Sequence, residues 1–225
     1  MTIAEKIIEF FNELEAPAIS TPEVEVLNPL LRNETKEIID KFYSRYYNDH
    51  KERIAFIGIN PGRLGSGLTG IGFTDPVNLE KVCGIKNSFQ KKHELSSRFV
   101  YDMIEAYGGA ATFFKDVFIS SVVPLGFVRR DVNLNYYDIK ELEQELTPYI
   151  KEQFEKQLPF LRRDVAFCIG KGKNLKFLSD LNKKEGYFDE IKVLPHPRWI
   201  MQYRLKRKTE FIEEYTNLIK ECAKL

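Results

Sequence analysis

Four short apolar runs, RIAFIGI (53–59), DVFISSV (116–122), DVAFCIG (164–170) and EIKVL (190–194), constrain the fold of this chain more than any other feature. They are hydrophobic nearly throughout rather than alternating, which is the pattern of strands buried on both faces. Helical spacing fills the stretches between and after them, at about 95–107, 138–157, 172–183 and 203–223. Strands that alternate with helices pair in parallel, because a parallel neighbour is reached only by a crossover. The expectation is an α/β protein, a three-layer α/β/α sandwich around a central, mostly parallel four-stranded sheet. Residues 2–15 and 33–49 read as two further helices separated by APAISTPEVEVLNPLL. Residues 1–50 are therefore expected to be a helical part packed on one domain spanning 1–225.

Composition narrows the function classes. With 43% hydrophobic and 30% charged residues the chain can bury a core, and no run of eighteen apolar residues offers a membrane span. The first residues, MTIAEKIIEFFNELEA, carry acids and a helical period, unlike a signal peptide. Cys83, Cys168 and Cys222 share no ligand-like spacing with one another or with the three histidines. No metal, no cofactor and no disulfide framework is expected, and a reducing, cytoplasmic compartment fits best. A net charge of +1 argues against a generally basic nucleic-acid binder, yet RWIMQYRLKRK (198–208) holds five cations and no acid. That run reads either as a local phosphate-binding patch or as a solvated helix face.

Ligands of open α/β sheets bind beyond the carboxyl ends of the strands. Here those ends lead into GINPG, SVVPLGF, GKGKN and PHPRW. In INPG, Asn60 leaves the strand, Pro61 fixes the next φ, and Gly62 bares the backbone. An asparagine amide offers an acceptor and a donor on a short arm, suited to orienting a water, though it also suits a turn cap. No Lys-Ser/Thr pair follows the glycines, so this is no P-loop, and the spacing is not a dinucleotide fingerprint. His196, between Pro195 and Pro197, has little freedom and suits a fixed electrostatic role, or a purely structural one. His50 and His93 lie in charged surroundings and read as surface residues.

Together these segments resemble a family. GINPGRLGSGLTGIGF (58–73) is similar to the first motif of the uracil-DNA glycosylase superfamily, closest to its single-strand-selective monofunctional branch, where the pattern runs GMNPGPFG…TGVPFG. Asn60 and Phe73 stand 13 positions apart, as in that branch. FISSVVPLGF (118–127) with NLN (133–135) resembles FVxNxCPLLF…NLTP, and LPHPRW (194–199) resembles LHPSPRN. Order and spacing agree from LNP (27–29) to the C-terminus. The resemblance implies a monofunctional DNA glycosylase of base excision repair, a monomer acting on single- or double-stranded DNA. It would flip out uracil or a related deaminated base, xanthine or hypoxanthine, and hydrolyse the N-glycosidic bond. Asn60 would orient the attacking water and His196 would donate a hydrogen bond to the departing base. Ile59 and Gly62 would contribute backbone groups, and Phe73 would stack on the base. No lysine falls on the motif positions, so no Schiff-base lyase step is implied.

The sequence departs from the pattern twice. Ser121 stands where the family has an asparagine that reads the base edge, so the pocket is expected to be relaxed toward other deaminated bases, unless Ser121 is an ordinary strand hydroxyl. The second motif is shortened to HPR, which places Arg198, Trp199 and Ile200 where the family carries its DNA wedge. Arg204 and Lys206 behind them would contact the phosphate backbone. Two other readings stay open: a catalytically weak damaged-DNA-binding protein that retains the base pocket, and an unrelated α/β enzyme holding a nucleotide on the glycine loop.

Overall fold

The computed structural model of the protein describes residues 1–224. In chain order its elements are α1 (Ile3–Asn12), β1 (Val24–Leu27), α2 (Asn33–Tyr46), β2 (Arg53–Gly58), α3 (Ser66–Thr69), α4 (Pro76–Lys81), α5 (Leu95–Tyr107) and α6 (Ala110–Asp116). There follow β3 (Val117–Ser121), β4 (Gly126–Arg129), β5 (Val132–Leu134), α7 (Lys140–Gln157), β6 (Leu161–Ile169), α8 (Lys173–Glu185), β7 (Glu190–Leu194), α9 (Pro197–Tyr203) and α10 (Lys208–Ala223). The four apolar runs form one sheet in the order β3-β2-β6-β7, each neighbour parallel.

Register and alternation assign the two faces of that sheet. Ala55, Ile57, Phe118 and Cys168 share one face, and Phe56, Ile119 and Phe167 the other. On the first face Tyr43 of α2 and Tyr47 just after it pack on Phe118, Phe10 of α1 packs on Phe160, and Asn174 of α8 reaches the Cys168 sulfur. On the second, Phe113 of α6 and Tyr215 of α10 edge onto Phe56, and Phe99 of α5 packs on Tyr215. Every residue of β2 is buried as a result. This is the α/β/α sandwich the sequence predicts.

Residues 16–32 differ from expectation. VEVL forms β1, which pairs antiparallel with β4, and β4 pairs antiparallel with β5. The N-terminal part is therefore not wholly helical. This second sheet docks on the INPG loop, and Gly126 permits it: a Cβ there would lie 2.4 Å from the Pro61 carbonyl oxygen. At the hairpin tip Arg130 and Asp131 have φ of 51° and 61°, as a two-residue I′ turn requires. Glu23 accepts from both Arg129 and Arg130 and ties the tip to the chain entering β1.

The glycine loop is a packed element rather than slack chain. A Cβ on Gly72 would stand 2.5 Å from Cγ2 of Ile119, because the loop runs along the outer edge of β3. Gly72→Ala is expected to destabilise the protein by about 1–3 kcal/mol, read as a lower denaturant midpoint. A midpoint equal to wild type would show that the loop has room to shift. Among the described residues, no helix is long and apolar enough to cross a membrane.

Candidate active site

The carboxyl ends of all four parallel strands open into one cavity. Its wall takes Gly58–Leu64 from the end of β2 onward, Ser121 at the end of β3 and Pro124 beyond it, Gly170 and Lys171 after β6, and Pro195 and His196 after β7. The structure thus brings together Ile59, Asn60, Gly62, Phe73, Ser121 and His196 from three distant segments.

Asn60 is half-buried, and its amide is held from both ends. Its Oδ1 accepts from the Tyr136 N–H at 3.1 Å, and its Nδ2 donates to the Leu134 carbonyl at 3.1 Å. Nδ2 also donates to the Pro61 carbonyl at 3.4 Å, so the amide plane is fixed and Oδ1 keeps a lone pair. Leu134 and Tyr136 lie 74 and 76 residues further along the chain, so Asn60 is not a local turn cap. Asn133 adds a third tie by accepting from the Arg63 N–H at 3.1 Å. A Cβ on Gly62 would meet Nδ2 of Asn133 only at 3.6 Å, so internal packing does not demand glycine there. The Gly62 N–H has no hydrogen-bond partner among the described residues.

His196 caps the N-terminus of α9, where its Nδ1 accepts from the Arg198 N–H at 3.1 Å. An acceptor at Nδ1 places the ring proton on Nε2. Burial, reinforced by the Arg198 charge, lowers the imidazole pKa to about 4. The ring is neutral at pH 7 and its free nitrogen is a donor. Pro195 before it is anchored through its carbonyl by the buried Tyr215 hydroxyl. Phe73 meets His196 edge-on, with ring centroids 5.8 Å apart. Its φ of 48° is a strained value for a bulky residue. The loop that imposes it is locked by Thr69 Oγ1 on the Thr74 carbonyl at 2.8 Å and by the Thr74–Tyr101 hydroxyl pair at 3.0 Å. Gly58 leaves room for the ring, since a Cβ there would stand 3.3 Å from its tip.

Ser121 lines the same cavity. Its hydroxyl donates to the Val123 carbonyl at 2.7 Å, which leaves its lone pairs as acceptors.

The basic segment needs one correction. Ile200 is 0% exposed and packs into the core, so it cannot contact DNA as a wedge. Helix α9 starts at Pro197, and its phase turns Ile200 and Met201 inward while Trp199 and Tyr203 face outward. Tyr203, one turn beyond Trp199 and 65% exposed, was missed by reading 203–223 as one continuous helix. Arg204 lies 4.9 Å from the Trp199 ring centroid. Arg198, Arg204 and Lys206 are exposed and form no ion pair among the described residues, whereas Arg207 and Lys208 are paired with Glu210 and Asp102. The described residues bring no three His, Cys, Asp or Glu side chains together as metal ligands.

A strand-end cavity with a fixed asparagine and a neutral histidine on an α/β/α sandwich defines a class. The family model of the uracil DNA glycosylase superfamily matches residues 44–220, and the chain belongs to that family. It is a DNA glycosylase. Among solved structures it is similar to wild-type SMUG2 of Pedobacter heparinus, at 42% identity over 100% of both chains and a TM-score of 0.96. No curated protein sequence matches it.

Proposed function

We propose that the protein is a monofunctional glycosylase that removes uracil or a related deaminated base, xanthine or hypoxanthine, from DNA, acting as a monomer. The observation that carries this reading is the meeting of Asn60 and His196 in one cavity, each held by backbone before any substrate arrives. The flipped base lies against Phe73. Asn60 orients a water toward C1′ of the sugar. As the N-glycosidic bond breaks, its electron pair leaves with the base, and the Nε2–H of His196 donates to the base oxygen where negative charge gathers. A neutral imidazole serves here because the base leaves as an anion stabilised by the donor. The water oxygen bonds to C1′, its proton passes to solvent, and the free base is protonated in turn.

Outside the cavity, Trp199 and Tyr203 supply stacking surfaces while Arg198, Arg204 and Lys206 take phosphates. Base–aromatic stacking is worth about 1–3 kcal/mol. Trp199→Ala and Tyr203→Ala should each weaken single-strand affinity by that amount in a fluorescence titration, and unchanged Kd values would remove the patch from the interface.

The decisive assay uses oligonucleotides, single- and double-stranded, carrying uracil, xanthine or hypoxanthine, followed by alkaline cleavage at abasic sites. Absence of scission with every substrate would sink the glycosylase reading. Ser121→Asn introduces a paired donor and acceptor suited to uracil's N3–H and O4. The uracil-to-xanthine rate ratio is expected to rise about tenfold, the scale of one good hydrogen bond. A ratio equal to wild type would take Ser121 out of base reading.

A further inference from the structure

Tyr136, whose N–H binds Oδ1 of Asn60, is itself held from inside the protein. It lies just past β5, in a segment without regular structure. Its side chain is 0% exposed and packs under α8, where its ring meets Phe177 edge-on at 5.1 Å. Burial keeps the phenol protonated, and its hydroxyl donates to Oδ1 of Asn174 at 3.0 Å. Asn174, in the first turn of α8 and 1% exposed, is tied to β6 in turn. Its Nδ2 donates to the Cys168 sulfur at 3.4 Å and to the Ile169 carbonyl at 3.5 Å. Cys168 pairs in register with Ile57 of β2, three residues before Asn60. These bonds close a ring. It runs from the end of β2 through Asn60, Tyr136 and Asn174 to β6, and back across the sheet to β2.

We infer that Asn174 and Tyr136 are positioning residues for Asn60, fixing where its water-orienting oxygen lies relative to the sheet. The inference rests on the role given to Asn60 above and names what makes that role possible. Neither side chain lines the cavity. An apolar pair of the same volume would fill the space without desolvating an amide and a phenol. What the polar pair adds is direction, because a hydrogen bond sets both distance and angle in a satisfied buried network. Leu134 needs no such device, since β5 pairs it with Phe127 of β4. Tyr136 lies outside every strand, so its N–H is placed through its side chain. The Asn135–Asp138 turn stiffens the segment without locating it, because both of its bonds join residues of the same loop. Lys173 Nζ on the Tyr137 carbonyl, at 3.5 Å, is an exposed tie to the same helix.

The test is a double-mutant cycle on single-turnover excision, using whichever of uracil, xanthine or hypoxanthine the wild type releases fastest from single-stranded DNA. Tyr136→Phe removes one buried oxygen and keeps the ring. It is expected to slow excision about tenfold at saturating protein, with DNA affinity within about twofold of wild type. Asn174→Ala is expected to slow it about 10–100-fold, since a misplacement near 1 Å can cost about 10²-fold. In an Asn60→Ala background the same two changes should alter the rate less than about twofold, because the group they place is gone. Thermal melting reports folding, and if Asn174→Ala does not fold, Tyr136→Phe decides the matter alone. An equal fold-loss in both backgrounds overturns the inference, because general damage to the fold would slow either protein alike. So does a wild-type rate in folded Tyr136→Phe. A normal rate in Asn60→Ala alone also overturns it, by removing the role it serves, and leaves the glycosylase reading intact. Release of no base by the wild type brings down that reading as well.

Discussion

Replacing Asn60 by alanine is expected to lower single-turnover excision by about 10²–10³ while DNA affinity stays within a few-fold, because a preorganised group acting at the reacting centre is worth that much. The geometry makes the forecast specific. Asn60 is tied to Tyr136 N–H and to the Leu134 and Pro61 carbonyls, so the remaining Oδ1 lone pair points in a fixed direction and a water placed by it needs no reorganisation. Asn60→Asp sharpens the test. A carboxylate oxygen would replace Nδ2 at 3.1 Å from the Leu134 carbonyl, setting two acceptors face to face. The folded state would favour the protonated acid and raise its pKa above the unfolded value. Stability would then be complete below the unfolded pKa and lost as pH rises through the folded one. The variant should melt higher at pH 5 than at pH 8, by comparison with wild type at the same two values. Near-normal rates in Asn60→Ala would show that the water is held by something else.

The second large effect falls on His196. Its alanine variant should also lose about 10²–10³ in rate, with retained binding, since one donor to the departing base is removed. The pH dependence carries further information. The pKa is lowered from 6.5 to about 4, chiefly by burial. The fold therefore prefers the neutral ring. That contribution to stability is fully present above about 6.5 and is lost as pH falls toward 4. Excision should show no inflection from this residue between pH 8 and 5, and the imidazole signals in NMR should titrate well below 6.5. A titration midpoint near 6.5 would contradict the burial that places the donor.

The central sheet was legible because burial on both faces leaves an unbroken apolar run, and the strand ends followed from parallel pairing. The second sheet was not. Its strands span 4, 4 and 3 residues, too short to show a period, and VEVL is hidden between prolines. Asn60 and His196 could be named from their motifs, but their holders could not, since Leu134 and Tyr136 act through backbone atoms that any residue type supplies. The glycines of 58–73 suggested a bare pocket floor. The structure gives Gly72 a packing reason against Ile119, and leaves Gly62 as the position where packing asks for nothing. Ile200 illustrates a phase error: the segment was right, but only the register of α9 decides which side chain meets solvent.

The family model begins at residue 44, yet β1 ends at Leu27 and covers one side of β4. A fragment cut to the boundaries of the family match would leave β4–β5 as a bare two-stranded ribbon, marginal in water and open to pairing with another molecule. Leu134 would drift with it, and Asn60 would lose that anchor. The edge of the family match and the packed structure do not coincide in this protein: β1, outside the match, pairs with the hairpin that holds Asn60.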